Sequence, residues 1–130
     1  MRKRELSLLI KRFDVKTQVI PSITEETWRD LKDYFDYLGT DGTRLFIKSI
    51  TSYLTPLIKA FDDFEKQFAL AVENKNALLM QSFNYKKNTL LPDIKADLCY
   101  LYLANVYLYS ASHNFDSVWK QPISAESVVD

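Results

Sequence analysis

The chain has 130 residues, 47% of them hydrophobic and 14% aromatic, and its 17 basic and 17 acidic side chains cancel to a net charge of zero. This composition excludes a disordered chain, and the balanced charge argues against general attraction to nucleic acid or membrane surfaces as the main activity. Two glycines and four prolines are too few for the turns that an all-β fold needs every ~8–12 residues. The reading is therefore all-α, with one core that buries roughly two-thirds of the surface the unfolded chain exposes.

At the N-terminus Leu6, Leu9, Ile10 and Phe13 recur at helical spacing in basic surroundings. Six basic residues (Arg2, Lys3, Arg4, Lys11, Arg12, Lys16) against Glu5 and Asp14 give this arm, residues 1–21, a local charge of +4. Its apolar stripe is expected to dock on the rest of the protein or to contact a protein partner, and its cations are the candidate contacts to a phosphate backbone. Val15 to Ile20 is β-prone and ends at Pro21.

Ser22 followed by Glu25 fits a capping box, so a helix is expected to start there and to stop at Gly39, with Trp28, Leu31, Phe35 and Leu38 as its buried stripe. Asp30, Asp33 and Asp36 then form a solvated acidic row. The GxxG spacing of Gly39-Thr40-Asp41-Gly42 resembles the RNA-clamping loop of KH domains. Asp41 would repel a phosphate there, and the variable pair carries no cation. The loop reads instead as a helix stop, with Gly39 past the end and Asp41 or Thr43 capping the next helix.

Phe46, Ile50, Tyr53, Leu57, Phe61 (or Ala60), Phe64, Phe68 and Val72 then describe a long amphipathic helix. Pro56 either kinks it or starts a second helix with Thr55 as cap. Asn74-Lys75-Asn76 is the next break, followed by a helix through Leu78, Leu79, Met80 and Phe83 to Lys87; Lys86 and Lys87 beside Tyr85 form a small basic-aromatic patch.

Leu90-Leu91-Pro92 is expected to turn the chain into a last helix whose core, Leu98 to Tyr109, is apolar on nearly every side except at Asn105. CYLYL and VYLYS also alternate like strands. Pro92 at a first helical position, Asp93 and Asp97 in the first two turns, and the lack of a glycine in Ala104-Asn105 favour the helix. Beyond Ser110 the pattern dissolves, leaving Phe115, Val118 and Trp119 as anchors of an irregular tail, residues 113–130.

Catalytic groups are scarce. One His, His113, and one Cys, Cys99, exclude Cys/His zinc clusters, and no phosphate-binding glycine loop or serine elbow is present. Two Glu-x-x-His pairs, which a di-iron bundle requires, cannot be made from one His. No enzyme activity and no cofactor are expected.

A lone cysteine in apolar surroundings suits a reducing compartment, and the Leu6–Ile10 run is too short for a secretory signal, so a cytoplasmic location is expected; the Arg-rich start leaves organelle import open. The architecture expected is a four- or five-helix bundle over residues 22–112, between the basic arm and the tail. The functional expectation is a protein-interaction module (a subunit, adaptor or inhibitor) with Leu6, Leu9, Ile10, Phe13, Phe115, Val118 and Trp119 as contacts to a protein partner or a second copy. The alternative is a small nucleic-acid-associated subunit using Arg2, Lys3, Arg4, Lys11, Arg12, Lys86 and Lys87.

Overall fold

The computed structural model describes residues 3–15 and 25–111, and within them every regular element is a helix. These are α1 (Lys3–Arg12), α2 (Glu25–Glu73) and α3 (Ala77–Ala111). The expected four or five helices are thus three among the described residues, because neither Pro56 nor Pro92 ends a helix.

A proline inside a helix removes the bond to the carbonyl four residues back, here those of Ser52 and Asn88. Both prolines and both of those residues are exposed, so water can take the place of the missing donor. Around Pro56 the hydroxyls of Thr51, Ser52 and Thr55 also donate to the carbonyls of Ile47 (2.8 Å), Lys48 (3.0 Å) and Thr51 (2.9 Å). Such back-bonding absorbs a local bend without stopping the helix. Continuation through Pro92 also overturns the dipole argument for Asp93 and Asp97, which lie mid-helix. Burial, and then the like charge of Asp93 one turn away, push the Asp97 carboxyl up.

One true break divides α2. Gly39 has φ 74° and ψ −179°, a region that only glycine enters without strain. The helix resumes at once. Thr43 is not its cap: it is fully buried, with its hydroxyl donating to the Gly39 carbonyl at 2.7 Å. The bend brings Phe35, also fully buried, against Phe46 (5.4 Å between centroids) and Tyr107 (5.5 Å). Tyr107 donates to Asp36 at 2.7 Å, so one member of the expected acidic row has a partner on α3.

After the bend, α2 and α3 run antiparallel about the Asn74–Asn76 turn. Asn76 N–H donates to Ala71 and Lys75 N–H to Val72, with Lys75 left-handed (φ 53°), which is a Schellman stop. The Asn76 side chain then accepts from Leu79 N–H at 3.1 Å and caps α3.

The buried stripe of α2 keeps the expected Ile50, Leu57, Phe61, Phe64 and Phe68 but departs from the expected one at Phe46, Tyr53 and Val72. Tyr53 is 71% exposed whereas Leu54 is fully buried, and Val72 is exposed whereas Ala71 is buried. The inward line is Thr43, Ile47, Ile50, Leu54, Leu57, Phe61, Phe64, Phe68 and Ala71, a strict alternation of four and three. That is a seven-residue repeat of the coiled-coil kind. On α3 the corresponding line starts at Met80, Phe83, Lys87, Leu90 and Ile94.

The core sits at the C-terminal half of α3. Leu98, Leu101, Tyr102, Leu103, Ala104 and Val106 are buried together with Leu54 and Phe61 of α2, and the expected apolar helix is enclosed here on nearly every side. Leu6 and Ile10 of α1 and Phe13 just past its end complete the same cluster, with Leu9 and Val15 at its edge. Asn105 is accommodated by donating its side-chain amide to the Leu101 carbonyl at 2.7 Å.

Candidate interaction surfaces

Two places carry the chemistry that the sequence singled out. The first is the seat of α1. Its apolar stripe faces inward and its C-terminus is a second Schellman stop, with Asp14 left-handed (φ 52°) and Val15 N–H donating to Ile10. Phe13 meets Phe61 edge-on at 5.1 Å and 73°. The Arg12 guanidinium lies over both rings, 4.8 and 5.4 Å from their centroids, and bridges Asp62 and Glu65, the latter at 2.5 Å. Hydrogen bonding to Asp62, added to the pull of both carboxylates, outweighs desolvation and holds Arg12 above its ordinary pKa. Beyond Phe13 an open cavity of about 310 Å³ is bounded by Asp14, Phe61, Leu91 and Lys95.

The second is the half of the hairpin farthest from α1, residues 64–90, where, apart from the Arg12–Glu65 contact at its near edge, only α2 and α3 meet among the described residues. Phe64 and Phe83 face each other at 6.4 Å. Lys86 reaches over Phe83 (5.3 Å) and Phe64 (6.0 Å), and Lys87, itself on the inward line, sits 4.9 Å from Phe68. Each ammonium thus lies over the face of a ring, in the position that the ring quadrupole favours. Around the turn Leu70, Val72, Leu78 and Leu79 are left in water, Leu78 most of all at 79% exposure.

Of the residues named from sequence as contacts, Leu6, Ile10 and Phe13 are buried, Leu9 is half-buried, Arg4 and Lys11 are exposed, and Arg12, Lys86 and Lys87 engage rings or carboxylates of the chain itself. Arg2, the side chain of Lys3, Lys16, the β-prone segment to Ile20, the Ser22 cap, the Trp28 side chain, His113, Phe115, Val118 and Trp119 lie outside the described residues.

Sequence reasoning missed Leu70, Leu78 and Leu79 as exposed. A usable signal existed, because Leu78-Leu79-Met80 is a run of three large apolar residues and one helix stripe cannot hide all three. It also missed Asp62 and Glu65 as partners of Arg12, for which a separation of about fifty residues leaves no local signal.

Cys99 is half-buried, and burial pushes its thiol pKa up, away from reactivity. Among the described residues no group of three His, Cys, Asp or Glu side chains is placed to hold a metal, and no helix is long and apolar enough to cross a membrane. Neither protein-family models, nor curated proteins, nor solved structures give a match to this chain, so its function has to be read from its own geometry.

Proposed function

We propose that the chain is a non-enzymatic, intracellular protein-interaction module, a subunit, adaptor or inhibitor that presents the far half of the α2–α3 hairpin to a protein partner. The observation that carries this is the set of Leu70, Val72, Leu78 and Leu79, four large aliphatic residues exposed around one turn of a two-helix projection. Scattered single exposed leucines are ordinary, but a group of this size rimmed by charge is the usual mark of a contact surface. Glu73 and Lys75 supply the rim. A helix hairpin offers such a surface without rearrangement, its backbone groups being satisfied internally and its stop and cap both formed.

The alternative of a nucleic-acid-associated subunit draws less support from these positions, because the Arg12 charge is met by two carboxylates and Lys86 and Lys87 lie over rings.

The test is affinity purification of the tagged chain beside its Leu78→Glu/Leu79→Glu double variant, with bound proteins identified by mass spectrometry. Exposed sites away from the core change stability by only about 0.5 kcal/mol, so the variant keeps its circular dichroism and melting transition while it loses its partner. An unchanged set of bound proteins would refute the assignment of this surface. Retention of RNA or DNA with a steep salt dependence, about 0.7–0.9 in log affinity per neutralised phosphate, would transfer the function to the alternative.

A further inference from the structure

The seat of α1 is itself a helix-binding groove, and its present occupant fits it imperfectly. Four apolar residues at i, i+3, i+4 and i+7 (Leu6, Leu9, Ile10, Phe13) are the anchor pattern by which amphipathic helices enter grooves on other proteins. The groove adds a charge test, since Asp62 and Glu65 receive the cation that stands between the last two anchors.

Two features weaken α1 as a ligand. Ser7 is 97% buried, and its hydroxyl finds no hydrogen-bond partner, a cost its removal would relieve. The helix also stops at Arg12, and an open depression beside Phe61, Leu91 and Lys95 lies next to its end. At ten residues α1 has little helical stability of its own and depends on the groove for its structure.

We infer that this groove binds an amphipathic helix from a partner protein, which displaces α1. The partner helix carries apolar residues at the four anchor spacings, Arg or Lys in the place of Arg12, a small non-polar residue in the place of Ser7, and one further turn to occupy the cavity. This surface is separate from the hairpin tip, and either assignment can fail alone. Because α1 is tethered, its effective concentration at the groove is on the order of millimolar, and an untethered helix succeeds only by fitting better. The orphan hydroxyl and the open depression are where a better fit is available.

The test uses the full chain and a fluorescent synthetic peptide of residues 1–15 carrying Ser7→Ala. Saturable binding is expected, weakened at least tenfold when the peptide also carries Arg12→Glu and strengthened when α1 of the full chain is loosened by Ile10→Asp. Binding that ignores the Arg12 reversal, or no binding to the loosened chain, would overturn the inference.

Hydrogen exchange of the unmodified chain gives a second reading that needs no loosened variant. Amides 7–13 should exchange well before amides 98–106, and Ser7→Ala in the chain should slow them about tenfold, the factor that one relieved orphan hydroxyl implies. Equal exchange of the two segments would mean that α1 leaves only when the whole protein unfolds, and would exclude displacement. Concentration-dependent dimerisation of the chain alone, abolished by Ile10→Asp, would instead assign the groove to α1 of a second copy and overturn the partner helix proposed here.

Discussion

The near and far halves of the α2–α3 hairpin are built on one seven-residue repeat, yet only the near half is enclosed. Around Leu98–Val106 the helix is surrounded by α1, α2 and the segment folded back at Gly39, and four successive residues, Leu101 to Ala104, are buried. Between residues 64 and 90 only Ala71 is buried, and the phenylalanines of the seam have lysine ammonium groups over their rings. The same pattern thus yields a core or a half-open seam according to how many neighbours arrive. What decides is the pair of elements, α1 and residues 25–38, that the chain spends on one end alone.

The sharpest test compares truncations in the two halves. Leu98→Ala, at a fully buried site, should cost about 2–5 kcal/mol in urea denaturation, whereas Phe83→Ala, in the half-buried seam, should cost roughly 1–2 kcal/mol despite removing the larger side chain. Equal costs would mean that the far half is covered in solution and would dissolve the contrast.

Next comes the bend that supplies the near half with its extra layer. A Cβ at Gly39 meets nothing within 4 Å, so Gly39→Ala isolates the backbone strain of φ 74° and should cost about 1–3 kcal/mol. At Gly42 the backbone is permissive, but a Cβ would lie 2.9 Å from the Leu38 Cβ, so Gly42→Ala tests crowding in the same corner. If Gly39→Ala is neutral by thermal denaturation, the bend is not what holds residues 25–38 in place.

A smaller effect, confined to the near half, comes at high pH. Burial, then proximity to Cys99, raises Tyr102 to about 12, and burial, then the hydrogen bond to Asp36, raises Tyr107 to about 12. Each phenol is harder to ionise folded than unfolded, where the pKa is 10.0. Their contribution is therefore complete below about pH 10 and lost between about pH 10 and 12. Denaturation midpoints measured across that window should fall, and Tyr107→Phe should shallow the fall. A profile unchanged by that substitution would remove Tyr107 from the account.

The smallest effect is expected at the far tip. Lys75 holds a left-handed conformation that costs a non-glycine residue about 1 kcal/mol, so Lys75→Gly should stabilise by somewhat less, after the added freedom of the unfolded chain is deducted.

Much of the near half was legible in the sequence. The Leu98–Tyr109 stretch reads as a buried helix because no face of it is polar enough for water, and the anchors of α1 and the breaks at Gly39 and Asn74–Asn76 follow from spacing and turn chemistry. The helix count was misread because both prolines look like boundaries, when their cost depends on whether the carbonyl they strand can reach water, a property of the folded surface. The α2 stripe was misplaced at Tyr53 and Val72 because a tolerance for either spacing of three or four admits both, and only the strict alternation selects Leu54 and Ala71. Tertiary pairs such as Tyr107 with Asp36, or Arg12 with Glu65, left no local trace.

The seven-residue repeat carried by each arm up to the turn makes the far half a spacer of adjustable reach. Because both arms return to phase after seven residues, excising one matched repeat from each would draw the apolar tip inward by about 10 Å while preserving its orientation. A ruler of this kind lets the distance between the tip and the body of the protein be set independently of how the body folds.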